Sequence, residues 1–252
     1  MILAATSLSL IIWFYLTFVH HGFWGRREFL PCTAYNSNTV LPSVVSLTPA
    51  RNEAELISDS LNSVLIQSYK GFFHSVLIDD SSHDNTSRIA QSAAQKAGYA
   101  ERLNIIGAAE LPPNWSGKLW ALRAGLDYIE GSLDEPFDYY WLSDADISHE
   151  PHLLARLVNQ AQREELGLVS LMVTLNCGSF WEKRVIPAFV YYFQMLYPFA
   201  SVNNPKHTLG GAAGGCILIR RDAIESIGGF HAIKDKLIDD CELGKAVKGK
   251  GI

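Results

Sequence analysis

Apolar and polar positions along this chain fall into distinct patterns, and each pattern predicts a different element. Residues 1–19 carry no charged side chain and are dominated by Leu, Ile, Phe, Trp and Tyr. At 1.5 Å per residue, about 19 to 20 such residues cross a hydrocarbon core of ~30 Å, so this run predicts a membrane-spanning helix. From Val44 onward the pattern changes. Short runs at 44–47, 75–78 and 103–106, bounded by polar clusters, predict strands. Between them Leu56, Ile57, Leu61, Val64 and Leu65, then Ile89, Ala90, Ala93, Ala94 and Ala97, recur at helical spacing. Strand and helix alternating at this pitch predict a parallel sheet with right-handed crossovers. Residues 139–142 read as a buried strand, 151–163 as an amphipathic helix with Pro151 in its first turn, and 168–174 and 217–219 as further strands. The predicted fold class is α/β, a mostly parallel sheet flanked by helices and preceded by one N-terminal transmembrane helix.

The N-terminal run differs from a signal peptide, which has a basic start, a shorter apolar region and a small-residue cleavage site. Nothing basic precedes it, and Gly22-Phe23-Trp24 is a poor cleavage sequence. Trp24 suits the membrane interface. Arg26 and Arg27 just beyond it place the following chain on the cytoplasmic side of a cell (inner) membrane. Residues 1–24 thus form an anchor, 25–42 a polar linker containing Pro31, Asn36, Ser37, Asn38 and Pro42, and 43–252 one folded domain.

Composition removes several classes of function. The 252-residue chain has a net charge of −5 and no basic tract, so nucleic acid is not an expected partner. Cys32, Cys177, Cys216 and Cys241 are scattered with no CxxC pair, which disfavours zinc or a disulfide framework and suits a reducing compartment. No GxGxxG follows the first strand, which disfavours a dinucleotide fold.

What remains is acidic chemistry at strand ends. The strand at 139–142 stops at Asp144-Ala145-Asp146, two hard-oxygen ligands that suit Mg²⁺ or Mn²⁺ also holding a diphosphate. A surface turn or helix cap is the other reading of those two residues. The second strand stops at Asp79-Asp80-Ser81-Ser82-His83-Asp84, where carboxylates can accept a uracil imide or ribose hydroxyls, or cap the next helix. Gly117-Lys118 opens a helix and offers a point charge for a phosphate. In residues 239–247, helical spacing puts Asp240 on the inward face of Leu243 and Val247 and turns Asp239 and Glu242 elsewhere. The apolar run 185–202 is long enough to span a membrane. If it did, Asp144 and Asp146 would lie across the bilayer from Asp239 and Asp240. Pro187, Gln194 and Pro198, with Lys183, Arg184 and Lys206 on the flanks, fit a helix at the membrane interface or packed on the domain. A core helix is the equal alternative.

In order, Pro49-Ala50-Arg51-Asn52-Glu53, Asp79 to Asp84, Gly117-Lys118 and Asp144-Ala145-Asp146 resemble the motifs of family 2 glycosyltransferases with a GT-A fold. Gly228-Gly229-Phe230 and Asp239-Asp240-Cys241-Glu242-Leu243 are similar to that family's acceptor loop and catalytic acidic motif. Through Gly214 to Asp222 and the anchor, the chain most resembles the hopene-associated members. The resemblance covers residues 43–252. It departs in Ser81-Ser82, where the wider family often has glycine, and in Arg123, where many members carry asparagine. The family's Gln/Arg-x-x-Arg-Trp element and further membrane helices have no counterpart before Ile252, which implies a fragment.

The resemblance implies an inverting, metal-dependent glycosyltransferase using a nucleotide-sugar donor, a UDP-sugar by preference, and a membrane lipid or lipid-linked acceptor. Pro49, Arg51, Glu53, Asp79, Asp80, Lys118 and Asp144 would bind the donor, and Asp144 and Asp146 the Mg²⁺ or Mn²⁺. Asp240 would be the base, with Gly228, Gly229, Phe230 and Asp239 on the acceptor side. A nucleotidyltransferase acting on a sugar phosphate, or a non-catalytic membrane module, are the rival readings.

Overall fold

The structure, a computed structural model, describes residues 1–20, 22–25, 28–31, 40–132 and 136–252. Arg26 and Arg27, on which the orientation of the anchor was read, and the linker positions Cys32, Asn36, Ser37 and Asn38 lie outside the described residues.

The apolar N-terminal run forms α1 (Ile2–Phe14), extended by a π-helical turn to Val19. Four strands of the sheet run parallel: β1 (Val44–Ala50), β2 (Phe73–Asp79), β3 (Leu103–Gly107) and β4 (Tyr139–Ser143). The helices α2 (Ile57–Leu65), α3 (Thr86–Ala97) and α4 (Gly117–Ser132) connect them. After β4 come α5 (Leu153–Arg163), β5 (Leu168–Ser170), α6 (Glu182–Leu196), α7 (Phe199–Val202), β6 (Cys216–Arg220), α8 (Arg221–Ser226) and α9 (Asp239–Lys248). β6 lies antiparallel to both β4 and β5, and the order across the sheet is β3-β2-β1-β4-β6-β5.

Side chains of a strand alternate between faces, and both faces of this sheet are covered. Val45, Leu47, Val76, Ile78, Tyr140, Leu142, Ile217 and Ile219 pack beneath α4, α8 and α9. Their neighbours in the strands, among them Val44, Tyr139, Trp141 and Leu218, pack against α5 and Val64 of α2, and Leu77 packs with α2 and α3. α4 sits very close to the sheet. A Cβ built on Gly125 would lie 2.9 Å from Leu47 Cδ2 and 3.1 Å from Ile78 Cδ1, so only glycine fits without displacement.

The chain order decides where a ligand can lie. From β1 the chain moves outward through β2 to β3, then returns to place β4 on the other side of β1. That reversal leaves a crevice beyond the carboxyl ends of β1 and β4, the usual binding position in open α/β sheets.

The strand expected at 168–174 is much shorter. Ser170 pairs with Ile217, and Leu171 N donates to Cys216 O at 3.0 Å; Cys216 is the first residue of β6, so beyond Leu171 the ladder has no partner. Ser170 and Ala213 then exchange hydrogen bonds of 2.7 and 3.1 Å, which hold the chain as it leaves the sheet.

The 185–202 run is two helices, not one. Tyr197 (φ −124°, ψ 68°) breaks the run because the residue before Pro198 is sterically driven out of the α region. α6 contains no buried residue and is therefore not a core helix. Trp181 caps it, and together with Val185, Phe189, Tyr192 and Leu196 forms a stripe along one side, each between 51% and 71% exposed. The other side meets the end of α1: Tyr191 packs on Trp13, Phe23 and Trp24 with ring centroids 5.0 to 6.0 Å apart. Among the described residues, α1 with its π-turn, and α6 with α7, are long and apolar enough to cross a membrane.

Candidate active site

Three loops close over the crevice. Residues 51–56 follow β1, 80–85 follow β2 and 144–152 follow β4. The first two are stitched to each other by side chains. Asn52 N donates to Ser82 Oγ at 3.0 Å and His83 N to Asn52 Oδ1 at 2.8 Å. Glu53 N donates to Thr86 Oγ1 at 2.9 Å and Ala54 N to Asp84 Oδ2 at 3.0 Å. Asp84 also receives Thr86 N and Thr86 Oγ1. Asn52, Ser81 and Asn85 hold φ between 57° and 69°, a region asparagine tolerates and serine rarely enters.

Asp79 and Asp80, adjacent in sequence, do different things. Asp79 accepts Ser82 N on Oδ1 at 2.8 Å and the Ser87 hydroxyl on Oδ2. Burial alone would raise its pKa; the Ser87 and Ser82 bonds outweigh that and hold it below the ordinary aspartate value. Asp79 also borders an open groove with Ser81, Ser82, Ile106, Gly107 and Ala108. Asp80 faces the other way. Its Oδ2 takes Arg51 Nη1 at 3.4 Å and lies 2.9 Å from the place a Cβ on Gly117 would occupy. Glycine at the start of α4 is what lets that carboxylate approach the helix.

Lys118 follows immediately and reaches into the crevice. Its Nζ pairs with Asp144 Oδ1 at 2.5 Å, and each side chain is about a third exposed. Burial alone would depress the lysine's pKa, but Asp144, then Asp239 and Asp240, more than reverse it and leave the pKa above the ordinary value. Asp146 is exposed at the rim. Glu53 closes this mouth. Its pKa is raised by burial first and then by the charges of Asp146, Asp84 and Asp144.

Donor chemistry decides whether the residues suit a divalent cation: Asp144 and Asp146 are two hard-oxygen ligands in one turn, with Glu53 near enough to feel the charge of both. Among the described residues no group of three or more His, Cys, Asp or Glu forms a complete cage. A hard ion shared with substrate phosphates needs only one or two protein carboxylates, so Asp144 and Asp146 fit it.

The loop carrying these two aspartates is held from below by residues with no evident chemical signature in the sequence. His149 is buried, stacks on Trp141 at 4.8 Å between ring centroids and bonds Ser143 Oγ through Nε2 at 2.7 Å. Burial pushes its pKa down to about 4. From α2, Ser60 donates to the Ala145 carbonyl between the two aspartates, and Ser63 Oγ receives His149 N at 2.9 Å. Gln67 donates to Glu150 O and accepts Leu154 N, each at 2.9 Å. Ser60 and Ser63, spaced i, i+3, share one face of α2, and Gln67 follows just beyond its end. Those polar positions at the apolar face of the helix were the signal available in the sequence.

The far wall is α9. Asp240 Oδ2 accepts Gly214 N at 2.7 Å and Oδ1 accepts Cys241 N at 2.7 Å, so the carboxylate is fixed from both sides. A Cβ on Gly214 would stand 3.1 Å from that Oδ2 and 3.4 Å from Lys118 Nζ. Asp239 corrects the helical-spacing expectation. It does not turn away; with Asp240, Lys118 and Asp144 it lines one pocket. Helical spacing orders residues around an axis, but both residues belong to the first turn, whose end abuts the crevice. Burial raises the Asp239 pKa, and Lys118 partly offsets this. Glu242 does point elsewhere, toward Lys245 at 3.4 Å.

Of the remaining expected residues, Pro49 lines the same pocket at the end of β1. Gly228 and Gly229 adopt left-handed φ of 84° and 67°, turning the chain so that Phe230 inserts fully buried into the inner wall of the pocket. Arg123, one of the departures, forms a helix-surface pair with Asp127 and its guanidinium comes near Gly229. Cys241 is buried with its thiol pKa raised, first by burial, which suits packing.

The mannosyltransferase PcManGT from Pyrobaculum calidifontis, in complex with GDP-Man and Mn²⁺, superposes with a TM-score of 0.67 at 20% identity. The match covers 95% of this chain and 61% of that one, so this chain spans about three-fifths of that protein. S. aureus TarS 1–349 superposes with a TM-score of 0.53 at 14% identity, over 82% of this chain and 55% of that one. Its complex with UDP-GlcNAc gives 0.53 at 15% identity, over 81% and 53%. At such identities the likeness is one of fold, the GT-A type. No curated protein matches the sequence significantly. Residues 46–228 match the family model described as Glycosyl transferase family 2. That span is well over half of the chain and carries the β1 and β2 loops, Lys118 and the Asp144–Asp146 turn: the chain belongs to glycosyl transferase family 2.

Proposed function

We propose that the protein is a membrane-anchored, inverting glycosyltransferase that moves a sugar from a nucleotide-diphosphate donor, a UDP-sugar, to a hydroxyl of a lipid or lipid-linked acceptor. The observation that carries the reading is the convergence of Lys118, Asp144 and Asp240, from α4, the end of β4 and α9, on one pocket at the switch point of the sheet.

The donor's nucleoside would lie along the β1 and β2 loops against Pro49, Arg51, Glu53, Asp79 and Asp80. Its diphosphate would reach Lys118. Asp144 and Asp146 would hold Mg²⁺ or Mn²⁺, which supplies positive charge to the departing diphosphate. Asp240, oriented by the Gly214 and Cys241 amides, takes the proton of the acceptor hydroxyl. The acceptor oxygen then bonds the anomeric carbon on the face opposite the breaking bond to the diphosphate, which inverts the centre. General-base help of this kind contributes about 10²- to 10⁴-fold in rate. Asp239 and the 228–230 turn stand on the acceptor side. The complexes of PcManGT with GDP-Man and Mn²⁺ and of TarS with UDP-GlcNAc support this class of donor and metal.

The membrane reading rests on α1, whose residues are all unburied, and on the exposed stripe of α6 beside it. Together they would keep the domain on the cytoplasmic face of the membrane, with α6 in the interface plane. α6 leads to the site, for a Cβ on Gly211 would lie 2.8 Å from the Tyr197 ring and a Cβ on Gly244 2.6 Å from Gly211. The likeness to hopene-associated members, carried by residues 214–222 and the anchor, agrees with a lipid acceptor.

Calorimetric titration of the detergent-solubilised chain with UDP and GDP, each with and without Mn²⁺, tests the donor site. Metal-dependent binding of UDP that is lost in Asp146→Ala is expected. Tighter binding of GDP would replace the uridine assignment, and a folded protein that binds neither nucleotide would sink the reading.

A further inference from the structure

A cation already stands on the residue that the metal requires. Lys118 Nζ lies 2.5 Å from Asp144 Oδ1. Divalent ions bind carboxylate oxygen at roughly 2.0 to 2.6 Å, so a metal ion and an ammonium competing for that oxygen repel each other strongly. Among the described residues no ion pair engages Asp146, which lies exposed at the rim. A metal ion arriving alone must therefore displace Lys118 from Asp144.

The displaced ammonium stays in a pocket that it shares with Asp239, with Asp240, whose oxygens already accept the Gly214 and Cys241 amides, and with the apolar Leu119, Leu122 and Phe230. A diphosphate drawn in by a metal ion on Asp144 and Asp146 would give the released charge a new partner in the same pocket. The same lysine thus opposes the metal when nucleotide is absent and favours nucleotide once metal is present.

We propose that Lys118 is a coupling residue: it holds Asp144 in the free enzyme, is released when a divalent ion takes Asp144, and is thereby handed to the diphosphate, making metal and nucleotide binding mutually dependent. This rests on the assignment of Asp144 and Asp146 to the metal. Linkage requires the effect to be reciprocal, with nucleotide tightening metal by the same factor that metal tightens nucleotide. No covalent step is involved; one ion pair is exchanged for another.

The test is the binding of Mn²⁺, followed by the electron paramagnetic resonance of the free ion, to the full chain in detergent with and without UDP. The values are corrected for the Mn²⁺–UDP complex in solution. In the wild type, UDP should tighten Mn²⁺ by about 10-fold or more, within the usual range of coupling between sites. Lys118→Met should move the two quantities in opposite senses. Mn²⁺ alone should bind about 3- to 10-fold more tightly, while the gain from UDP should shrink to what direct contact between the metal ion and the diphosphate supplies. Lys118→Gln serves as a second neutral replacement, and Lys118→Arg, which keeps the charge, should retain most of the coupling. Circular dichroism establishes that each variant is folded.

Lys118→Met and Lys118→Gln that bind Mn²⁺ alone no more tightly than the wild type would overturn the proposal. So would an undiminished gain from UDP. Failure of the underlying assignment looks different: Mn²⁺ binding would be as strong in Asp146→Asn as in the wild type. An electrostatic nucleotide contact alone would weaken UDP in Lys118→Met without tightening Mn²⁺, and that also counts against coupling.

Discussion

The carboxylates at the end of β2 and those around the Lys118 pocket are equally conspicuous in the sequence, yet the protein uses them differently. Asp79 and Asp84 give their oxygens to Ser82, Ser87, Ala54 and Thr86, and both lie below the usual carboxylate pKa. Glu53 and Asp239 are pushed the other way, by burial and by neighbouring acids. A carboxylate satisfied by amides and hydroxyls has its charge stabilised by the fold. One held beside like charges with few donors stores repulsion that a cation, a phosphate-bound metal or a proton can relieve. Loop architecture marks the first group and chemistry the second, and Asp240, which lines the pocket yet accepts the Gly214 and Cys241 amides, shares features of both.

The sharpest way to break this distinction is to remove one member of each group. Asp240→Asn keeps the shape of the side chain while removing its capacity to take a proton. Turnover with a nucleotide-sugar donor should fall by about 10²- to 10⁴-fold, with only the modest loss of stability expected from one forfeited amide bond, about 1 kcal/mol. A large loss of stability would place Asp240 with the loop-building acids instead.

A pH series probes the scaffold beneath the Asp144–Asp146 turn. The His149 pKa is depressed to about 4 from an ordinary 6.5. Between those values the unfolded chain binds a proton that the folded one refuses, so stability is fully present above pH ~6.5 and is lost as pH falls toward ~4. The loss amounts to roughly 3 kcal/mol at its full extent. Thermal melts across this range should show that slope in the wild type and a flatter one in His149→Gln.

Asp79→Ala should act on folding as well as on the nucleoside contact proposed for it. Leaving Ser82 N and Ser87 Oγ without their acceptor costs about 1–3 kcal/mol, measurable by urea denaturation. The depressed pKa of Asp79 adds a sign: its contribution is present above the unfolded aspartate value near 3.8 and disappears as pH falls through the lower folded one. Should Asp79→Ala leave stability intact, the Ser82 and Ser87 bonds would not be what holds the β2 loop.

The smallest expected effect is Ser60→Ala. It removes one buried bond to Ala145 O, worth about 1 kcal/mol of stability, and loosens the turn between Asp144 and Asp146. Mn²⁺ binding in the presence of UDP should weaken more than nucleotide-independent properties do. Equal effects on both would limit Ser60 to a packing role.

Much of this arrangement was legible before the fold. β1, β2, β3 and β4 fall where β-branched and aromatic runs stop at polar clusters, because both faces of a parallel strand must be apolar. Gly117 as the first residue of α4, and Asp239 as that of α9, follow from helical spacing. Other features were not legible. β5 ends early because its neighbour β6 begins only at Cys216, a matter of register between distant segments. The separation of α6 from the core depends on what packs around it, and composition alone left a core helix open. His149 looks like any loop histidine until Trp141, Ser143 and Ser63 surround it.

By itself, the sequence determined the class of fold, the two long apolar segments, and the identity and order of the acidic and basic residues at the strand ends. These depend on local preference and on periodicity, which a chain carries wherever it goes. Only the tertiary structure decided which of those acids are spent on loops and which face one another. It brought Lys118 onto Asp144, turned Asp239 toward the pocket beside Asp240, and set Ser60, Ser63 and Gln67 beneath the Asp144–Asp146 turn. Charge and hydrogen bonding act over a few ångströms, and residues tens of positions apart reach such distances only when the sheet's order of strands places them there.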